Sequence, residues 1–314
     1  VFEEEIMKWT EQKRKKLLSC VSDAELLKAF PKRKIDSLRR IQRMFRNGEQ
    51  AEKEGKSIEK TIILPDFHHP HHVKSAWRAI LKFIKWWQPD RVVLLGDAMN
   101  MDAIDHWKKD KGDLKHFEGK RLKYDYGLFD IDILTPIEKL VPDAEKIFMG
   151  GNHEDWVNIV INQSPQLEGL VEPEVFLELG KRGWQWIPYI DTDKHGNYNR
   201  GTLQIGKLLL FHGHYTNIYH ARKTADSYSM SCAYGHTHDV QLHTIVTVDN
   251  PRGYHTAQSI GCLCKTAPDF MRGRLNRWVN AFGALYTRPS GHYNLYVPII
   301  TNGTFTFEGK NFTS

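Results

Sequence analysis

Five short stretches limit most strongly what this chain can fold into. They are Asp66-Phe67-His68, Gly96-Asp97, Gly151-Asn152-His153-Glu154, His212-Gly213-His214 and Gly235-His236-Thr237-His238. The first four follow brief apolar runs: residues 61–64, 91–95, 147–149 and 208–211. Such runs, closed by glycine, proline or a turn, read as strands buried on both faces. Open α/β sheets present their sites at strand carboxyl ends, so these polar residues are expected to gather along one edge. Residues 73–87 and 128–141 predict helices, and strands near 241–248, 255–260, 281–287 and 293–300 predict a second sheet. The fold class expected is α/β, a two-sheet sandwich flanked by helices. Long loops near 100–127, 155–200 and 213–234 are expected to ring the site.

Composition narrows the class further. With 40% apolar and 26% charged residues among 314, the chain suits a globular protein. No run approaches the ~18–20 apolar residues of a membrane helix. No basic region followed by an apolar core opens the sequence, so a cytoplasmic location is expected. The four cysteines, Cys20, Cys232, Cys262 and Cys264, are too few for a disulfide framework. Cys262 and Cys264 are too closely spaced for the usual zinc knuckle and read as small buried strand residues.

Net charge is +6, and residues 8–46 hold thirteen Lys or Arg against four Asp or Glu. That basic segment reads as helices. Ser22 and Glu25 form a capping-box pattern. Ile35, Leu38, Ile41 and Phe45 fall on one helical face, with Arg39, Arg40, Arg43 and Arg46 turned away from it. The stretch from Ser22 to Phe45 resembles a homeodomain-like or Myb-like helix-turn-helix, which implies a basic last helix in a DNA groove. A solvated basic face on a helical cap is the other reading. The expected organisation is a helical module at 1–48, a polar linker at 49–60 and a catalytic domain at 61–314.

Taken in order, D-x-H, G-D, G-N-H-E, H-G-H and G-H-x-H resemble the calcineurin-like metallophosphoesterase superfamily. The resemblance implies two divalent ions, one held by Asp66, His68, Asp97 and His238, the other by Asp97, Asn152, His212 and His236. Nitrogen and oxygen ligands without thiolate suit Mn²⁺, the ion expected here, and also Fe, Zn²⁺, Ni²⁺ or Co²⁺. Two such ions would acidify a bound water to hydroxide for in-line attack on phosphorus. His153 is then expected to protonate the leaving oxygen or stabilise the transition state. Glu154 reads either as the group orienting His153 or as a surface carboxylate. The match departs at one place. Phosphoprotein phosphatases of this superfamily carry Asp-Arg three and four residues after the bridging Asp, where this chain has Asn100-Met101.

Substrate contacts are expected from Asn100, from His214, and from Arg272, Arg274 and Arg277 beside Trp278. The last group would follow a phosphate backbone and stack a base, or form a basic surface turn. The leading expectation is hydrolysis of phosphodiesters in DNA by a protein of viral type, acting in host cytoplasm. The alternative is a phosphatase or phosphodiesterase for small or protein-bound phosphates, with the N-terminal helices as a partner-binding cap. A third reading is a DNA-binding accessory protein whose phosphoesterase domain is a scaffold; the intact ligand set argues against it.

Overall fold

The computed structural model describes residues 11–31, 34–36, 38–39, 41–42, 57–192, 196–247, 250–268 and 271–314. At the N-terminal end, helices run over Glu11–Ser19 and Asp23–Ala29, and the described positions between 35 and 42 are helical. The capping box forms: the Glu25 N–H donates to Ser22 Oγ, and Glu25 accepts in turn from the Ser22 N–H. Leu17, Cys20, Leu26, Leu38 and Ile41 make a small core of their own. Arg39 is exposed and pairs with Asp23 at 2.5 Å. Arg40, Arg43 and Arg46 lie outside the described residues, as does Phe45.

Fifteen strands follow among the described residues: β1 (Glu59–Leu64), β2 (Arg91–Leu95), β3 (Glu145–Met149), β4 (Trp184–Ile187), β5 (Ile190–Thr192), β6 (Tyr198–Arg200), β7 (Leu203–Ile205), β8 (Leu208–Phe211), β9 (Ser231–Tyr234), β10 (Leu242–Thr247), β11 (Asn250–Ser259), β12 (Gly283–Thr287), β13 (Tyr293–Tyr296), β14 (Thr304–Phe307) and β15 (Lys310–Thr313). One sheet has the order β13-β12-β1-β2-β3-β4, with β1 to β4 parallel. The other has the order β10-β11-β9-β8-β7, with β8, β9 and β11 parallel. Because β1 begins at Glu59, the last two residues expected in the linker belong to the sheet.

Strand periodicity explains the continuous apolar runs. Ile62, Leu64, Val92 and Leu94 face a helical layer, while Ile63, Val93, Leu95 and Met149 face the second sheet through Leu208, Leu210 and Ala233. The helix Lys74–Trp87 buries Ala76, Ile80, Phe83, Ile84 and Trp87 on one stripe. The β14–β15 hairpin covers it: Phe305, Phe307 and Phe312 lie 5.2–5.7 Å from the Phe83 ring. The helix His220–Ser227 packs Ala225 on the outer face of the second sheet. The result is the expected mixed α/β sandwich. No helix among the described residues is long and apolar enough to cross a membrane.

Several expected boundaries move. The 128–141 helix begins at Leu122 and runs through a π-helical turn at Asp130–Leu134 to Leu140. The three expected loops are largely ordered. They hold helices at His106–Asp110 and His220–Ser227, much of a helix at Asn152–Gln163, and strands β4, β5, β6 and β9. Most of these elements are only three to five residues long, too short for a helical or strand period to show. The four cysteines are buried and form no disulfide.

Candidate metal centre

Each motif sits where a strand of one sheet or the other runs out. Asp66 and His68 follow β1, Asp97 follows β2, and Asn152 opens the helix after β3. His212 follows β8, and His236 and His238 follow β9. The motif glycines have steric causes. Gly96 holds φ +88°, a region that L-residues avoid, and a Cβ on Gly151 would collide with the Asp97 carboxylate and backbone.

The seven expected ligands converge. On one side the His238 Nε2 lies 3.1 Å from Asp66 Oδ1 and 3.1 Å from His68 Nε2. The His68 Nε2 is 3.6 Å from Asp97 Oδ2. On the other side the same Asp97 oxygen lies 3.3 Å from His212 Nε2, which is 3.1 Å from Asn152 Oδ1. Ring nitrogens of His212 and His236 and a carboxylate oxygen of Asp97 all fall within 4.8 Å of one another. Asp97 therefore stands between two groups of donors.

Three observations fit this donor set to divalent cations. First, the outer ring nitrogens are engaged from behind. His68 Nδ1 meets Asn100 Oδ1 at 2.9 Å, His212 Nδ1 donates to the Leu95 carbonyl at 2.9 Å, and His238 Nδ1 faces Cys264 Sγ at 3.8 Å. That backing fixes the tautomer and turns the Nε2 lone pairs inward, as metal-binding histidines require. Second, the Nε2 atoms of His68 and His238 confront each other, an arrangement that a shared cation stabilises. Third, Asp66, His68, Asp97, His236 and His238 all hold φ between 45° and 68°. Backbone strain of this kind costs roughly 1–3 kcal/mol per residue and persists where a function over-determines it.

Electrostatics follow from the crowding. Burial would raise Asp97, but His212 and His153 outweigh it and hold the carboxyl well below its usual range. Burial would lower His212, yet Asp97, Asp66 and the Leu95 carbonyl push it up to about 10. For His236 burial prevails, with the His212 charge adding to it, and brings it down to about 4.

Glu154 has a different task from the one expected. It does not touch His153. Its carboxylate accepts from the backbone N–H groups of Asp97 (3.0 Å), Gly151 (2.8 Å) and Met99 (2.8 Å), clamping two motif loops together. Burial and the Asp97 charge lift it to about 7. His153 is oriented instead by the Asn100 carbonyl, 2.9 Å from its Nδ1. Replacing Glu154 with Gln turns amide hydrogens toward one or more of those N–H donors. The variant is expected to lose about 1–3 kcal/mol of stability for each buried donor left without an acceptor. Urea denaturation of the metal-free protein checks this, and an unchanged midpoint would contradict the clamp.

The expected substrate contacts divide. Arg272 and Arg274 line the cleft above the centre, which has a volume of about 1040 Å³. Asn100 also lines it, but its side chain is spent on His68 and on Asp102, 2.8 Å away. Arg277 is not on the cleft wall and lies near the Ile218 carbonyl and Asp239. His214 is likewise absent from the wall. Its ring stacks on Phe211 at 4.8 Å and bonds the Tyr228 hydroxyl, because the residue three beyond the strand end turns back toward the second sheet's outer face. Cys264 and Trp278 pack against His238, a place the sequence did not give them, and His71 and His116, to which it gave no role, both line the cleft. The one available signal was the nearness of the Cys264 and Arg272–Trp278 stretches in the chain.

No protein-family model matches this chain. It is 21% identical over 263 residues to the gene 54 protein of Mycobacterium phage L5, spanning 80% of this chain and 97% of the relative. It is 22% identical over 263 residues, with the same coverage, to the gene 54 protein of Mycobacterium phage D29. Similar solved structures include vacuolar protein sorting 29 of Cryptosporidium parvum, with a TM-score of 0.37 at 13% identity over 82% of this chain and 96% of that one. Vps29 of Chaetomium thermophilum gives 0.34 at 10% identity over 82% and 93%. TT1561 of Thermus thermophilus gives 0.34 at 9% over 76% and 99%. Likenesses this loose bear on neither activity nor partners.

Proposed function

We propose that this chain is a metal-dependent phosphodiesterase acting on DNA. The observation that carries the reading is the convergence of Asp66, His68, Asp97, Asn152, His212, His236 and His238 around one shared carboxylate at the floor of a basic cleft. Asp66, His68, Asp97 and His238 would hold one divalent ion, and Asp97, Asn152, His212 and His236 the other, with Mn²⁺ the preferred metal. Such ions, when bound, polarise a phosphate and acidify water.

The chain's own residues do the rest. Asn100 fixes both imidazoles that face the substrate, His68 through its side chain and His153 through its carbonyl. His153 Nε2 is thereby left facing the centre, 3.9 Å from Asp97 Oδ2. From there the protonated ring donates its Nε2 hydrogen to the departing oxygen. Asp97 Oδ1 accepts the His153 backbone N–H at 2.9 Å, which ties the proton donor's backbone to the shared carboxylate.

The N-terminal module, in this reading, adds duplex affinity through phosphate contacts from Arg39, Arg40, Arg43 and Arg46. The phage relatives support a setting in host cytoplasm. A panel of DNA, RNA, cyclic-nucleotide and phosphomonoester substrates with Mn²⁺, beside an Asp97→Asn control, tests the activity. Turnover confined to an aryl phosphomonoester would favour a phosphatase instead. For the module, deleting residues 1–48 is expected to remove a duplex affinity that falls steeply with salt. Unchanged affinity by fluorescence anisotropy would dismiss the helix-turn-helix role.

A further inference from the structure

A row of rings crosses the candidate centre. Trp107 lies 4.5 Å from His106, His106 5.1 Å from Trp156, and Trp156 4.0 Å from His153. His153 lies 4.5 Å from His68, His68 5.0 Å from His238, and His238 4.2 Å from Trp278. The middle of the row is the expected reaction centre. Its Trp107 end is 58% exposed at the start of the helix His106–Asp110, and both terminal tryptophans line the cleft.

Positive charge flanks the row. Lys108, Lys111, Lys120, Lys265, Arg272 and Arg274 all line the same cleft. The acids there are already engaged. Asp102 is held by His71 at 2.7 Å and Asn100 at 2.8 Å, with Lys120 3.6 Å away, and Asp105 caps the 106–110 helix through the Lys108 N–H. Lys111, Lys265, Arg272 and Arg274 make no ion pair with a described residue. The cleft therefore offers an exposed indole face at Trp107, a second tryptophan at its far end and uncommitted cations at its sides.

We infer that the occupant is a single-stranded polynucleotide, laid across the centre with a base stacked on Trp107 and its phosphates met by Lys111, Lys265, Arg272 and Arg274. This deepens the phosphodiesterase reading and rests on it for the position of the scissile bond. Aromatic faces bind unstacked bases of any sequence, while a basic groove tracks their backbone. In a duplex the bases cover one another's faces, so Trp107 would have nothing to stack against.

The test measures binding in EDTA by anisotropy of labelled single-stranded DNA, RNA of the same sequence and the matching duplex. The full chain is compared with Trp107→Ala and Trp107→Phe. The expected result is a single-strand affinity that depends on Trp107, beside a duplex affinity, carried by residues 1–48, that does not, with DNA and RNA arms showing which sugar is accepted. Trp107→Ala should weaken single-strand affinity about 5- to 150-fold, the worth of one stacked base, and Trp107→Phe should keep most of it. Single-strand affinity indifferent to Trp107→Ala, or duplex affinity that falls as much as single-strand affinity with it, would overturn the inference. Wild-type turnover of bis(4-nitrophenyl) phosphate with Mn²⁺ is measured separately. Inertness there with Trp107-dependent strand binding removes the catalytic reading and leaves the strand site standing. Turnover there with Trp107-independent binding removes only the strand site.

Discussion

Asp97→Asn is expected to empty the centre of divalent metal and silence the protein together. Asp97 Oδ2 is the atom within 3.3–3.9 Å of His212, His68 and His153, so both donor groups are built on it. Asn keeps the shape but removes the charge and presents hydrogens toward ring nitrogens on at least one side. Losing a supporting hydrogen bond at a metal site already costs ~10–100-fold in affinity; losing the shared anion should cost more. Metal analysis by mass spectrometry after equilibration with Mn²⁺ checks the first effect, and diester turnover the second. Wild-type metal content in the variant would remove Asp97 from its assigned place.

His153→Ala is expected to separate the two effects. The His153 ring stands over Trp156 and His68, and truncation removes its 3.9 Å approach to Asp97 Oδ2 but spares the bond from the His153 N–H to Asp97 Oδ1. Metal content should therefore stay near wild type while turnover falls ~10²–10⁴-fold, the usual worth of a positioned proton donor. A substrate with a good leaving group, such as a nitrophenyl diester, should suffer less than DNA, because its departing oxygen needs no proton. An equal loss on both substrates would point to a positioning role instead.

How much of this was legible beforehand depended on how local the signal was. Asp66, His68, Asp97, Asn152 and His212 could be placed along one edge because each lies within a few residues of an apolar strand end, and a strand end fixes where its next residues point; His236 and His238 follow β9, in a stretch expected to be a loop, and were singled out by the family resemblance alone. The roles of supporting groups could not be read. Glu154 is adjacent to His153 in the chain, yet its helix aims the carboxylate at N–H groups of the Asp97 loop, 55 and 57 positions away. His214 shares a motif with His212, but one residue of turn sends its ring into the Phe211–Tyr228 stack. Arg277 fell out of the cleft and Arg272 and Arg274 into it, a distinction set by tertiary packing. The row of rings unites residues from His68 to Trp278 and has no signature in any single stretch.

The carboxylates and the amide of the centre hang from the first sheet, whereas His212, His236 and His238 hang from the second. The pocket is thus a seam between two slabs that touch through a greasy interlayer of Ile63, Val93, Leu208 and Leu210. Apolar layers resist separation far better than they resist sliding. A slip of an ångström or two along that interlayer would leave every strand intact and pull Asp66, His68, Asp97 and Asn152 out of reach of His212, His236 and His238. Cations bridging the seam would act as rivets, so that whatever fills the cage also locks the slabs in register.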